Sequence, residues 1–146
     1  MSELDITNDW YEKEWNRLLV RWFQKHEPWN LFSRRDQVVL AVGYIANTHL
    51  AGNGWDLIRD MASGAPEKLA YYTPDAFDAI GRPEIAGWLR DFIVLGKTTG
   101  NEEQDEVNHE KAMDEWVKVA DAIREDLGDE CRVLVELYTL CEKQNN

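Results

Sequence analysis

The sequence predicts an all-α protein, a compact single-domain bundle of about six or seven helices over residues 1–146. Three observations predict it. Apolar residues recur at helical spacing in segment after segment, and no stretch alternates with the period of two that a half-buried strand requires. Gly, Pro, Ser, Thr and Asp punctuate these segments where helices start and stop. A 44% hydrophobic content with seven tryptophans in 146 residues supplies a core, whereas acidic disordered chains are poor in aromatics.

The elements follow in order. Asp9, with Glu12 three residues on, resembles a capping box and opens a helix to Lys25. Tyr11, Trp15, Leu18, Leu19, Trp22 and Phe23 then keep the i, i+4, i+7, i+8 rhythm of a buried stripe. Pro28 prevents continuation. Ser33, answered by Asp36, opens a second helix with Val38, Ala41, Val42, Ile45 and His49 on one face. Val39, Leu40 and Ala46 widen that face, which makes this helix central to the packing. Gly52, Asn53 and Gly54 end it through a left-handed turn. A short helix runs from Trp55 to about Ala62 and closes at Ser63-Gly64. Thr73 then caps, Pro74 takes the first helical position, and Gly81 terminates. Pro83 starts the next helix, with Ile85, Ala86, Trp88, Leu89, Phe92 and Ile93 as its buried face, up to Gly96. Residues 97–101 (KTTGN) are the one plausible flexible joint.

The acidic helix from Glu102 to about Leu127 organises the charge. On a helical wheel, Met113, Trp116, Ala120, Ile123 and Leu127 share one side. Glu103, Glu110, Asp114, Asp121 and Glu125 gather on the other, interrupted mainly by Lys118. Residues 1–101 carry 14 acidic and 11 basic side chains, a net of −3, while residues 102–146 carry 14 and 5, a net of −9; together they give the −12 of the whole chain. Such concentration opposes compaction by self-repulsion. A charged row is most often a solvated helix face, but this one holds three-quarters of the excess charge. Gly128 then breaks the chain, and Asp129 caps a last helix with Leu134, Leu137, Tyr138 and Cys141 inside.

These features exclude several functions. A pI near 4.6 sets the protein against direct contact with nucleic acid or an anionic membrane and favours a basic partner. The N-terminus lacks the basic and apolar regions of a signal peptide, and the nine-residue apolar run Val38–Ala46, broken by Gly43, is too short to span a membrane. Cys131 and Cys141, ten residues apart on one helix, are separated by ~15 Å along its axis. That separation excludes a disulfide, and reduced, core-facing thiols suit a cytoplasmic protein.

No catalytic constellation is evident. Glu106 and His109 have the Glu-x-x-His spacing of carboxylate-bridged di-iron sites, but neither His26 nor His49 follows a matching glutamate, so no second half-site exists. No metal or other cofactor is expected. His109 and Cys131 would need to meet in space to form a nucleophile pair, and Asp129 and Glu130 beside Cys131 favour its neutral thiol. Paired acids such as Glu102 and Glu103 carry little information in so acidic a chain.

The turn Gly52-Asn53-Gly54-Trp55, the short helix closed by Ser63-Gly64, and the following Ala76, Ile80, Gly81, Ala86 and Leu89 resemble the bacterial DNA-mimic protein family of the DMP-nineteen type. Members carry an Asn-Gly-Gly-aromatic turn after a long helix; here the turn reads Gly-Asn-Gly-Trp, with Trp55 in the aromatic place. The resemblance spans residues 33 to 142, with its diagnostic part in about forty of them. It implies an all-helical acidic fold whose carboxylates stand in for phosphates on the DNA-binding face of another protein.

The reading that follows is a non-enzymatic, acidic interaction protein with a basic partner, one that binds DNA in the mimic case. The partner-facing row is Glu103, Glu106, Glu110, Asp114, Asp121 and Glu125, extended by Asp126, Asp129 and Glu130. An immunity-type protein that neutralises a basic toxin would show the same salt dependence. A small helical enzyme is the alternative of another class, for which a pocket beneath Trp55 or His49 would speak. An exposed remnant of the first helix's tryptophan stripe would signal a homodimer.

Overall fold

The computed structural model describes residues 8–46, 54–126 and 130–145, of which 8–11, 55, 126, 130, 131, 133 and 142–145 are described in backbone only. Seven α-helices order the described chain: α1 (Asn8–Leu19), α2 (Arg34–Tyr44), α3 (Trp55–Ala62), α4 (Thr73–Ala79), α5 (Pro83–Gly96), α6 (Glu102–Asp126) and α7 (Glu130–Asn145). No described residue lies in a strand, so the all-α expectation holds. No described helix is long and apolar enough to cross a membrane.

Helix α2 is the centre. Val38 to Val42 are each 0–1% exposed, so this part of the helix is apolar all round, as a helix enclosed by others must be. Ser33 caps it as expected: its Oγ accepts from the Asp36 N–H at 3.1 Å. Asp36 does not reciprocate the cap. Its carboxylate is buried and faces Arg21 and Arg35 at 3.5 Å and Arg17 at 3.6 Å. Three guanidinium groups thus offset one desolvated carboxylate and tie the first helix to the start of the second.

The first helix departs from its expected course. It includes Asn8, which puts Asp9 within the helix instead of at the cap. From Val20 to Gln24 it widens into a π-helical turn, with the Lys25 N–H donating to the Val20 carbonyl at 3.0 Å. A π turn holds one more residue than an α turn, so the apolar phase slips. Trp22 stays buried while Phe23, expected inside, is 54% exposed.

Helices α4 and α5 repeat the pattern of right elements with some misassigned side chains. Pro74 sits in the first turn of α4 as read, but Thr73 does not cap. Its hydroxyl instead donates to the Ala70 carbonyl at 2.9 Å, completing the 3₁₀ turn Leu69–Tyr72. Gly81 takes φ +78° and ends the helix. In α5, Ile85, Ala86, Leu89 and Phe92 are buried, whereas Trp88 is 40% exposed.

Gly96 closes α5 against α3. A Cβ there would lie 2.8 Å from Ile58 Cγ2 and 2.9 Å from the Ala62 Cβ, closer than carbon atoms pack. The crossing of α3 and α5 therefore requires a residue without a side chain. Gly96→Ala is expected to cost about 1–2 kcal/mol, overpacking outweighing the gain in helix propensity. A thermal midpoint lowered by about 3–6 °C would register it, and an unchanged midpoint would contradict the crossing geometry.

The seam between α5 and α6 is less free than a flexible joint. The Asp105 carboxylate accepts from the Thr99 N–H at 2.8 Å and the Thr99 hydroxyl at 2.7 Å. Those two bonds hold the Asp105 carboxyl below the usual range. Asn101 caps α6 by accepting from the Gln104 N–H at 3.1 Å. Buried residues from all seven helices meet in one hydrophobic cluster.

Candidate functional site

Helix α6 is held by one face. Ala112, Trp116, Val119, Ala120 and Ile123 are at most 9% exposed, at the i, i+4, i+7, i+8, i+11 spacing of a buried stripe. Trp116 anchors it. Its ring lies 5.9 Å from that of Phe92 at 66°, and its indole covers Gly54, where a Cβ would overlap Trp116 Cγ, Cδ1 and Cδ2. Of the proposed turn motif, Gly52 and Asn53 lie outside the described residues. Gly54 has φ +73° and precedes α3, and Trp55 begins that helix.

With that face buried, the opposite one must face water. Glu103, Glu106, Glu110, Asp114, Asp121 and Glu125 are all exposed, as the wheel required. Met113 is half-buried, at the boundary. Of the row's extension, Asp126, Asp129 and Glu130 have no described side chains, and Leu127 also lies outside the described residues.

The face is not uniformly negative. Arg124 bonds Asp121 at 2.9 Å and Lys118 reaches Glu115 at 3.5 Å. Exposed ion pairs of this kind are worth little, so they dilute the local field without fixing the side chains. Val107 and Val117, 58% and 56% exposed, sit among the carboxylates as apolar contacts. From Glu103 to Glu125 the helix rises ~33 Å, one carboxylate of the row per ~7 Å on average. One DNA strand carries a phosphate per ~3.4 Å of axis. The row thus has about half the linear charge density of a single strand.

Beside this face, Trp88, Phe92 and Leu95 of α5 and Lys111, Glu115 and Val119 of α6 line an open groove of about 400 Å³. The sequence placed Trp88 in the core because its spacing fits the buried stripe. It stands at the stripe's edge, 40% exposed, on the wall of that groove.

The last helix required the largest correction. Val135, Glu136 and Thr139 are buried, whereas Leu137 is 47% exposed and Cys141 is exposed with a free thiol. Leu134 and Tyr138 are half-buried. The inner stripe is rotated toward Glu136, a residue outside the expected inner face of Leu134, Leu137, Tyr138 and Cys141. Glu136 is 1% exposed, neither carboxylate oxygen has a hydrogen-bond partner among the described residues, and burial pushes its pKa to about 7.

Among the described residues, no group of three or more His, Cys, Asp and Glu side chains could hold a metal ion. His109 is half-buried one turn beyond Asp105 on α6, and the Cys131 side chain and His49 lie outside the description. Compared with protein-family models, with curated proteins and with solved structures, the chain matches none of them.

Proposed function

We propose that this protein is a non-enzymatic interaction protein that docks the acidic face of α6 onto a basic surface of a partner protein, in the manner of a DNA mimic. The observation that supports this is the division of α6. One face is spent on the core, and the six carboxylates of the opposite face are exposed to solvent. Carboxylates spaced along ~33 Å of helix meet Lys and Arg side chains that would otherwise meet phosphates. The half-strand charge density favours fast, salt-sensitive association over tight binding. Val107 and Val117 add apolar contact within the same face. An exposed free thiol at Cys141 fits a reducing, cytoplasmic setting.

The test is capture from lysate at low salt by the native chain and by a variant with Glu103, Glu110, Asp114, Asp121 and Glu125 changed to glutamine. A basic protein held by the native chain, released by DNA and lost by the variant is the expected result. Loss of steering should lower the association rate roughly 10- to 1,000-fold. A captured basic toxin that DNA does not displace would assign the face to neutralisation of that toxin. Identical captures by the two baits would remove α6 from the binding surface.

A further inference from the structure

The π turn and the segment after it build a second feature, independent of the acidic face. Trp22, Phe23, Trp29, Tyr44, Asp60 and Glu67 line an open cleft of about 450 Å³, within the size range of small-molecule sites. Two of its walls are indoles set nearly at right angles, with ring centres 5.7 Å apart and planes at 86°. Trp29 is fixed from behind: it stacks on Tyr72 at 4.0 Å and 11°, and its carbonyl accepts from the Gln37 side chain at 3.0 Å. The Tyr72 hydroxyl donates to the Pro66 carbonyl at 2.5 Å, which ties the loop bearing Glu67 to the same stack. The walls are therefore held in place before any ligand arrives.

The charge of the lining is negative. Glu27 is engaged by Arg21 at 2.8 Å, and Lys68 contributes the lining's one Lys or Arg. The Asp60 side chain is 18% exposed and faces the exposed Arg59 at 3.6 Å, beyond hydrogen-bonding length. Glu67 is exposed. The Tyr44 phenol registers the local field, being pushed up to about 12 by burial and then by Asp60 and Asp56. A cation in the cleft experiences that field as attraction. Aromatic faces at right angles with carboxylates beside them recognise a compact ammonium group, whose charge the rings' negative faces attract.

We propose that this cleft binds a small organic ammonium cation, seated against Trp22 and Trp29 and balanced by Asp60 and Glu67. The probe is choline, compared with its uncharged isostere 3,3-dimethyl-1-butanol at matched ionic strength. Binding is followed through the indole N–H signals of the full chain by nuclear magnetic resonance, assigned with Trp22→Phe and Trp29→Phe. Choline should shift both signals saturably in the millimolar range, and the alcohol should bind about tenfold more weakly. Asp60→Asn with Glu67→Gln should weaken choline about tenfold and leave the alcohol unchanged, a comparison that does not require altering the packed Trp29. Equal binding of choline and the alcohol, or no saturable shift at either indole, would overturn the proposal. A peptide bearing one Nε-trimethyl-lysine separates two sources of the same chemistry. Tighter binding of the peptide assigns the cation to a protein side chain, and tighter binding of choline assigns it to a free small molecule.

Discussion

Gly54→Ala is expected to destabilise the protein by about 3 kcal/mol, a large share of the 5–15 kcal/mol typical of a domain. Two costs combine. The backbone at this position has φ +73°, where a side chain costs roughly 1–2 kcal/mol. The new methyl group would also overlap the Trp116 indole, and overpacking of a filled core costs roughly 1–3 kcal/mol. Urea unfolding should show the midpoint falling by about 1 M or more with an unchanged slope. The cause is separable by a double-mutant cycle. In a Trp116→Leu background the overlap is gone, so Gly54→Ala should there cost only the backbone term, about 1–2 kcal/mol. An undiminished cost in that background would show that the indole is not what the glycine accommodates.

Glu136→Gln is expected to stabilise the protein at alkaline pH and to change little under mildly acidic conditions. The buried carboxyl of Glu136 titrates at about 7 against an ordinary 4.5, because desolvation penalises its charged form. The folded state thus holds a proton that the unfolded state releases. Stability from this group is full below about pH 4.5, declines as pH rises, and is lost above about pH 7. The total is about 3 kcal/mol, and the amide substitution removes the ionisation that causes it. Paired denaturation curves at pH 5 and pH 8 should therefore show similar stabilities at pH 5 and a gain of roughly 2–3 kcal/mol for the variant at pH 8. Equal stabilities at both values would mean that ionised Glu136 has found a compensating group. Asp105 and Glu27, whose pKa values are lowered, act in the opposite direction at lower pH and are common to both proteins.

These two residues show where sequence reasoning succeeds and where it stops. The Gly-Asn-Gly run announced a left-handed turn, and Gly54 adopts one, because backbone freedom is a local property written in residue type. That Trp116, sixty-two positions away, lies over it is a tertiary fact with no local signature. The helices themselves follow from punctuation and period, down to the Ser33 cap. The acidic face of α6 was readable because Trp116, Ala120 and Ile123, all buried as the wheel placed them, fix the phase of that helix. Helix α7 was misread because Leu134, Leu137, Tyr138 and Cys141 keep a helical apolar period, whereas the observed inner face includes the charged Glu136 and the polar Thr139, which that period does not mark. Phe23 was misplaced because a π turn shifts the phase by one residue without changing composition. The cleft between Trp22 and Trp29 was not legible because Trp22 keeps ordinary core spacing, while Trp29 lies in the short turn after Pro28, where no period marks its place.

The clean division of α6 also bears on how such a protein diversifies. Its core side is committed to Trp116 and its neighbours, but the outward side carries almost no structural obligation. Substitutions on such surfaces usually change stability by no more than about 0.5 kcal/mol. Lineages can therefore rewrite the charge pattern of this face one residue at a time while the scaffold beneath stays the same.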